Sequence, residues 1–153
     1  MNERINALIQ MGRLVAHEAP DEEIAGVWEN AVEAWTDASL TIRSANRRLT
    51  SAYDAGRIAV LAVVRAANLR VRAQNHHEVT LATAGLLAGG ELQGMLQEFQ
   101  ALRLERVQIE YGWRTRASAA DVERATAAVG GIMKLAAGWI STRRPLVVLV
   151  RLP

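Results

Sequence analysis

At 153 residues, half of them hydrophobic, the chain is sized for one domain with a real core. It has no cysteine, which excludes a disulfide framework and a thiolate metal site, and a net charge of +2 does not announce a nucleic-acid binder. Alanine and leucine dominate over aromatics, which favours helices over sheets. Lys134 is the only lysine among many arginines. Arginine is the better planar partner for phosphate and carboxylate, and GC-rich coding produces the same bias. The start, Met1-Asn2-Glu3-Arg4, has none of the pattern of a signal peptide, and no apolar run is long enough to span a bilayer. A cytoplasmic chain without a membrane partner is the expectation.

Hydrophobic spacing predicts an all-α, up-and-down bundle of five to six helices with a short extended C-terminal strand, in a single domain over 1–153. A first helix runs from about Asn2 to His17, with Ile5, Leu8, Ile9 and Val15 on one side. After Ala19, Pro20 or Asp21 suits the first turn of a second helix, and Glu22 and Glu23 favour its positive N-terminus. Its stripe is Ile24, Val27, Trp28, Ala31, Trp35 and Ala38, in a pattern compatible with continuation toward Arg43. The third helix, about Ala45 to Leu69, is apolar nearly all round from Ile58 to Val64 and is expected to be central. Its small residues Ala52, Ala55, Gly56 and Ala59 permit close helix approach.

Arg70 to Asn75 reads as a loop, and Asn75 with Glu78 has the spacing of a capping box. A short fourth helix follows from about His76 to Leu87 and ends at Gly89-Gly90. The fifth carries Leu92, Met95, Leu96, Phe99, Leu102, Ile109 and Trp113 at helical spacing, with Gly112 ending or bending it. Ser118 and Asp121 mark the start of the last helix, whose stripe is Val122, Ala125, Val129, Ile132, Met133, Ala136 and Ile140. Pro145 to Val150 is β-branched and apolar and reads as a strand. A lone strand lacks a partner. It can pair with a symmetry mate, pack as an extended arm over 145–152, or dock on another protein; the first two are preferred.

The fifth helix holds an anomaly. At ~100° per residue, Arg106 projects within about 20° of Phe99, on the stripe that should be buried. Glu110 falls on the same side one turn later, and Arg103 is slightly offset. Burying an arginine is costly without a partner. An Arg106–Glu110 ion pair or a snorkelling side chain accounts for it structurally; a functional guanidinium is the other reading.

Four segments, taken in order, resemble the HEPN superfamily (higher eukaryotes and prokaryotes nucleotide-binding domains). They are Ser51 to Arg57 at the opening of the central helix, the arginine-containing loop ending in His76-His77, the stretch Leu102 to Gly112, and the closing amphipathic helix with an acidic first turn. The resemblance covers 23–141. It implies a helical bundle, commonly dimeric, of the kind found in prokaryotic toxin–antitoxin and antiviral systems. Active members of that superfamily carry an arginine followed a few residues later by a histidine, and many relatives place a tyrosine there, as in Arg-Asn-x-x-Glu-Tyr. In Arg106-Val107-Gln108-Ile109-Glu110-Tyr111 the arginine, the acid and the tyrosine match, the histidine is absent, and Val107 replaces the polar residue.

The implied activity is metal-independent RNA cleavage at a composite site in a homodimer, with Arg106, Glu110 and Tyr111 as its catalytic residues and no cofactor. Such cleavage needs a cation to steady developing charge and a group to shuttle protons. Arg106 suits the first task. Tyrosine, titrating near ~10, is a poor base, so Tyr111 suits orienting substrate or donating to a leaving oxygen. A straight helix points it about 140° from Arg106, and Gly112 lets the helix end distort.

His76 and His77 either reach the arginine site or form a solvent-exposed pair at a helix start. Arg103, Arg70, Arg72, Arg114 and Arg116 are candidates for a phosphate track. Arg43, Arg47 and Arg48 form a further basic patch, or a solvated face balanced by Glu29, Glu33 and Asp37. No spacing resembles a zinc site, and His17 is expected at the surface near a helix C-terminus. The alternative function is a non-catalytic HEPN-like module that dimerises and docks a nucleotidyltransferase, a cognate antitoxin or another partner. A third account is an unrelated helical scaffold.

Overall fold

The computed structural model describes residues 2–72, 74, 76–111 and 116–153, without the side chains of 104–111. Among the described residues the chain forms six helices and one two-stranded antiparallel sheet: α1 (Glu3–Gln10), β1 (Leu14–Ala16), α2 (Asp21–Ala38), α3 (Ala45–Ala66), β2 (Leu69–Val71), α4 (His76–Ala88), α5 (Gly90–Tyr111) and α6 (Ala119–Arg143).

The central helix is α3. Its N-terminus is capped by the Ser44 hydroxyl, which accepts from the Arg47 N–H at 3.2 Å. It packs against α2, α4, α5 and α6, which is why Ala52, Ala55, Ala59, Val60, Ala62, Val63 and Val64 are all buried. Gly56 is required by this packing: a Cβ there would overlap the Phe99 ring of α5.

Hydrogen bonds between element ends give the helix directions. Arg48 Nε, in the first turn of α3, donates to the Ala38 carbonyl at the end of α2, at 2.9 Å. Trp35 Nε1, late in α2, donates to the Thr126 carbonyl, early in α6, at 3.3 Å. Arg144, just past α6, meets Asp21 at the start of α2, at 2.8 Å. Helix α2 is therefore antiparallel to both α3 and α6. The Ala117 N–H, between α5 and α6, donates to Asn46 Oδ1 at 2.8 Å, so α5 runs back along α3.

The last helix follows its sequence pattern closely. Ser118 and Asp121 form a reciprocal capping box, and all seven residues of the predicted stripe are buried. In the first turn of α2, Pro20 is the N-cap and the acids begin at Asp21.

Three expectations are corrected. The first helix stops at Gln10 rather than His17. Gly12 adopts a left-handed φ of 72°, a conformation that ends a helix and is cheap for glycine, and Leu14 to Ala16 leave as β1. The loop expected over Arg70 to Asn75 begins inside a strand: β2 pairs with β1 in the register Leu14↔Val71, Val15↔Arg70, Ala16↔Leu69. The burial of Leu14, Leu69 and Val71 drives that pairing, and three residues are too few to show a period. Helix α2 ends at Ala38, short of Arg43, because Arg48 takes up its terminal carbonyl. Asn75 and Gly112 lie outside the described residues.

The C-terminal segment is not a strand among the described residues. After a turn closed by the Val147 N–H on the Arg144 carbonyl at 3.1 Å, it lies on the core as an arm. Val147 is buried, and Leu149 and Leu152 pack against the core. The Trp28 indole N–H donates to the Val150 carbonyl at 2.8 Å. The two short strands pair with each other, and this arm reaches neither.

Candidate functional site

Tyr53, two turns into α3, is the buried foundation of a polar cluster. Its ring stacks on Phe99 with centroids 5.3 Å apart and planes 9° from parallel. Its hydroxyl lies 2.9 Å from His77 Nδ1, at the head of α4. With a neutral imidazole either the phenol donates to Nδ1 and the ring proton sits on Nε2, or the Nδ1–H donates to the phenol oxygen and Nε2 is left to accept; with an imidazolium the Nδ1–H donates to the phenol oxygen. One contact thus serves both protonation states.

His76 stands edge-on to His77, centroids 6.4 Å apart, and is exposed. Its carbonyl accepts from the Thr80 hydroxyl at 2.7 Å. Glu78 extends the cluster to α5, where Arg103 Nη1 donates to it at 3.3 Å. Beside this pair an open cleft of about 200 Å³ runs between α4 and α5, lined on the α5 side by Gln93, Gln97 and Gln100. The arrangement can exchange a proton at His76 or His77 and hold an anion near Arg103.

The structure joins His77 to Tyr53, sets His76 edge-on to His77, and joins Arg103 to Glu78, the residue after His77; Tyr53 is a residue to which sequence reasoning gave no role. It fell within the Ser51 to Arg57 segment of the resemblance without a role of its own, and the phenol's partner lies 24 residues away. Arg106 sits on α5 one turn beyond Arg103, an axial step of about 4.5 Å. The side chains of Arg106, Glu110 and Tyr111 lie outside the description, and so does Arg114.

The remaining arginines lie toward the two ends of α3. Arg116 is exposed and adjoins Ala117, which is bonded to Asn46 in the first turn of α3. Arg70 is exposed on β2, and Arg72 follows that strand with its N–H on the Arg13 carbonyl at 2.8 Å. Both lie beyond the other end of α3, a helix of 22 residues and so about 33 Å long. Arg43 and Arg47 are exposed, whereas Arg48 serves as the α2 cap.

A second polar cluster joins the start of α2 to the ends of α3 and α6. Arg144 donates to Asp21 Oδ1 through Nη2 at 2.8 Å and through Nε at 3.2 Å, to the Ala19 carbonyl at 2.7 Å, and to Asn68 Oδ1 at 3.3 Å. Asn68, held at a left-handed φ of 59°, also accepts from the Ala19 N–H at 3.1 Å. Nearby, His17 Nε2 lies 2.8 Å from Glu23 Oε2, which is 3.6 Å from Arg65 Nε. Burial lowers the Arg65 pKa, Glu23 opposes that, and Arg70 adds to it. His17 follows β1 rather than a helix C-terminus.

No cluster of three His, Cys, Asp or Glu side chains among the described residues is arranged to hold a metal ion. No helix among them is long and apolar enough to cross a membrane. No protein-family model, curated protein or solved structure matches the chain.

Proposed function

We propose that the α4–α5 cluster is a phosphodiester site and that the chain is a HEPN-like, metal-independent ribonuclease. The observation that carries this reading is the histidine pair at the head of α4, fixed by the Tyr53–His77 contact and reaching α5 through Glu78 and Arg103. It supplies the imidazoles that the Arg106 to Tyr111 segment lacks.

In this mechanism a neutral His77, its ring proton on Nδ1 and directed at the Tyr53 oxygen, takes the proton of a ribose 2′-hydroxyl on Nε2, and the 2′-oxygen forms a bond to the adjacent phosphorus. The bond from phosphorus to the 5′-oxygen breaks, and the leaving oxygen takes a proton from an imidazolium at His76. The products are a 2′,3′-cyclic phosphate and a 5′-hydroxyl. Arg106 and Arg103 steady the non-bridging oxygens, and the Tyr53 phenol stabilises the proton held by His77.

The test is incubation of total RNA in EDTA with wild type, Arg106→Ala and His77→Ala, after circular dichroism shows all three folded. Wild type should yield cyclic-phosphate ends, and each variant should lose about 100-fold or more in rate. Intact RNA with wild type would sink the reading. A second reading, a non-catalytic docking module, is favoured by the engagement of Arg103 with Glu78 and by the apolar residues Leu146 and Val148 exposed on the C-terminal arm. Co-purification of a nucleotidyltransferase or antitoxin with an RNA-inert chain would support it.

A further inference from the structure

The cleft between α4 and α5 is lined unlike the cluster beside it. Gln93, Gln97 and Gln100 recur at i, i+4 and i+7 on α5 and so share one helix face. Glu78, the residue after His77, lines the cleft from α4, and the buried Leu81 and Leu96 supply its apolar lining. Among the described residues none of the three amides is bonded to the fold, and no lysine or arginine lines the cleft. A site without a cation of its own does not select a phosphate. A carboxylate and three amides around an apolar patch select a flat ring with hydrogen-bonding edges. The volume, about 200 Å³, is below the ~300 Å³ at which pockets for drug-sized ligands begin, which suits a single nucleobase.

Spacing along α5 sets this cleft next to the phosphodiester cluster. Gln100 and Gln97 precede Arg103 by three and six residues, axial steps of about 4.5 and 9 Å. A ribose joins its base to the neighbouring phosphate over distances of this order.

Glu78 decides which base fits. Its Oε1 accepts from Arg103 at 3.3 Å, and a carboxylate has about four lone-pair sites, so both oxygens can accept further. Guanine presents N1–H and N2–H side by side, one for each carboxylate oxygen, and its O6 and N7 accept from glutamine amides. In adenine and cytosine the amino group stands next to the lone pair of a ring nitrogen, so the second carboxylate oxygen would face an acceptor. Uracil has no amino group. The Arg103 charge offsets that of Glu78, which lets the carboxylate stand close to a phosphate.

We propose that this cleft is a guanine subsite, in which the RNA nucleotide adjoining the cleaved phosphate places its base among Glu78, Gln93, Gln97 and Gln100. The subsite deepens the ribonuclease reading and rests on it for the reaction, while its base contacts can be measured without cleavage.

The test is NMR titration of the full chain with the 3′-monophosphates of guanosine, adenosine, cytidine and uridine, following the glutamine side-chain amides. The phosphate is common to all four, so differences in Kd belong to the base. Guanosine monophosphate should bind about ten-fold tighter than the other three, the scale of one good paired contact, and should move the amides of Gln97 and Gln100. Glu78→Gln should erase that preference. Ala82→Trp, at an exposed position on the cleft rim, should fill the cleft and erase it too, with an unchanged circular dichroism spectrum. Equal binding of the four, binding of none, or a guanine preference that survives either variant would overturn the subsite. With total RNA in EDTA, the cyclic-phosphate ends should fall mainly beside guanine. Selective guanine binding with intact RNA would keep the subsite and end the ribonuclease reading; cleavage with equal binding of the four nucleotides would do the reverse.

Discussion

Arg144 and Arg103 are both half-buried guanidiniums facing a carboxylate, yet their surroundings differ. Arg144 spends its fork on Asp21, the Ala19 carbonyl and Asn68, and so ties together the start of α2, the turn after α3 and the end of α6. Among the described residues Arg103 makes one contact, a 3.3 Å bond to a more exposed Glu78. A guanidinium whose three nitrogens are all engaged by the fold is a fastener. One with a single loose partner contributes less to the fold, and under the proposed function its spare donors would be the ones to meet a phosphate.

The largest way to break this comparison is at the base of the α4–α5 cluster. Phe99→Ala should cost about 3–5 kcal/mol in urea unfolding, because it opens a void against Gly56 and unstacks Tyr53. Next is the fastener. Arg144→Ala should cost about 2 kcal/mol, the scale of hydrogen bonds to charged groups, whereas Arg103→Ala should stay within about 1 kcal/mol, as exposed pairs do. Equal losses at the two positions would erase the distinction.

Tyr53→Phe sharpens the comparison at lower energy. Loss of the phenol should cost about 1 kcal/mol and move the imidazole NMR resonances of His77 but not those of His17. The smallest effect concerns Asp121. The Ser118 main-chain N–H, then the Ser118 side chain and Arg124, hold its carboxyl below the ordinary carboxylate range. A depressed carboxyl contributes stability that is complete above its unfolded pKa and lost as pH falls through the folded one. Acid unfolding of Asp121→Asn should therefore show a shallower decline on the acid side than wild type. An identical pH profile would remove the cap from the account.

Helix content was legible where the pattern was long. The α6 stripe and its Ser118–Asp121 start could be read directly, because 25 residues give many turns of agreement. The strands β1 and β2 could not, since each is three residues long and their pairing joins Leu14 to Val71. Apolar, β-branched composition at 145–150 pointed to a strand, but composition does not supply the neighbour a ladder needs. At the candidate site, His76, His77 and Arg103 stood out as residue types, whereas the places of Tyr53 and Glu78 in the cluster rest on contacts across 24 and 25 residues. Asn68 and Arg144 were illegible for the same reason. Their value lies in joining chain ends.

The chain has three histidines, and they divide between the two clusters: His17 beside Glu23, and His76 and His77 at the head of α4. Imidazole NMR with an RNA oligonucleotide made uncleavable by 2′-O-methylation therefore tests the central claim directly. The account predicts that the His76 and His77 resonances move on RNA addition while those of His17 stay in place. Unmoved His76 and His77, or a response confined to His17, would contradict it.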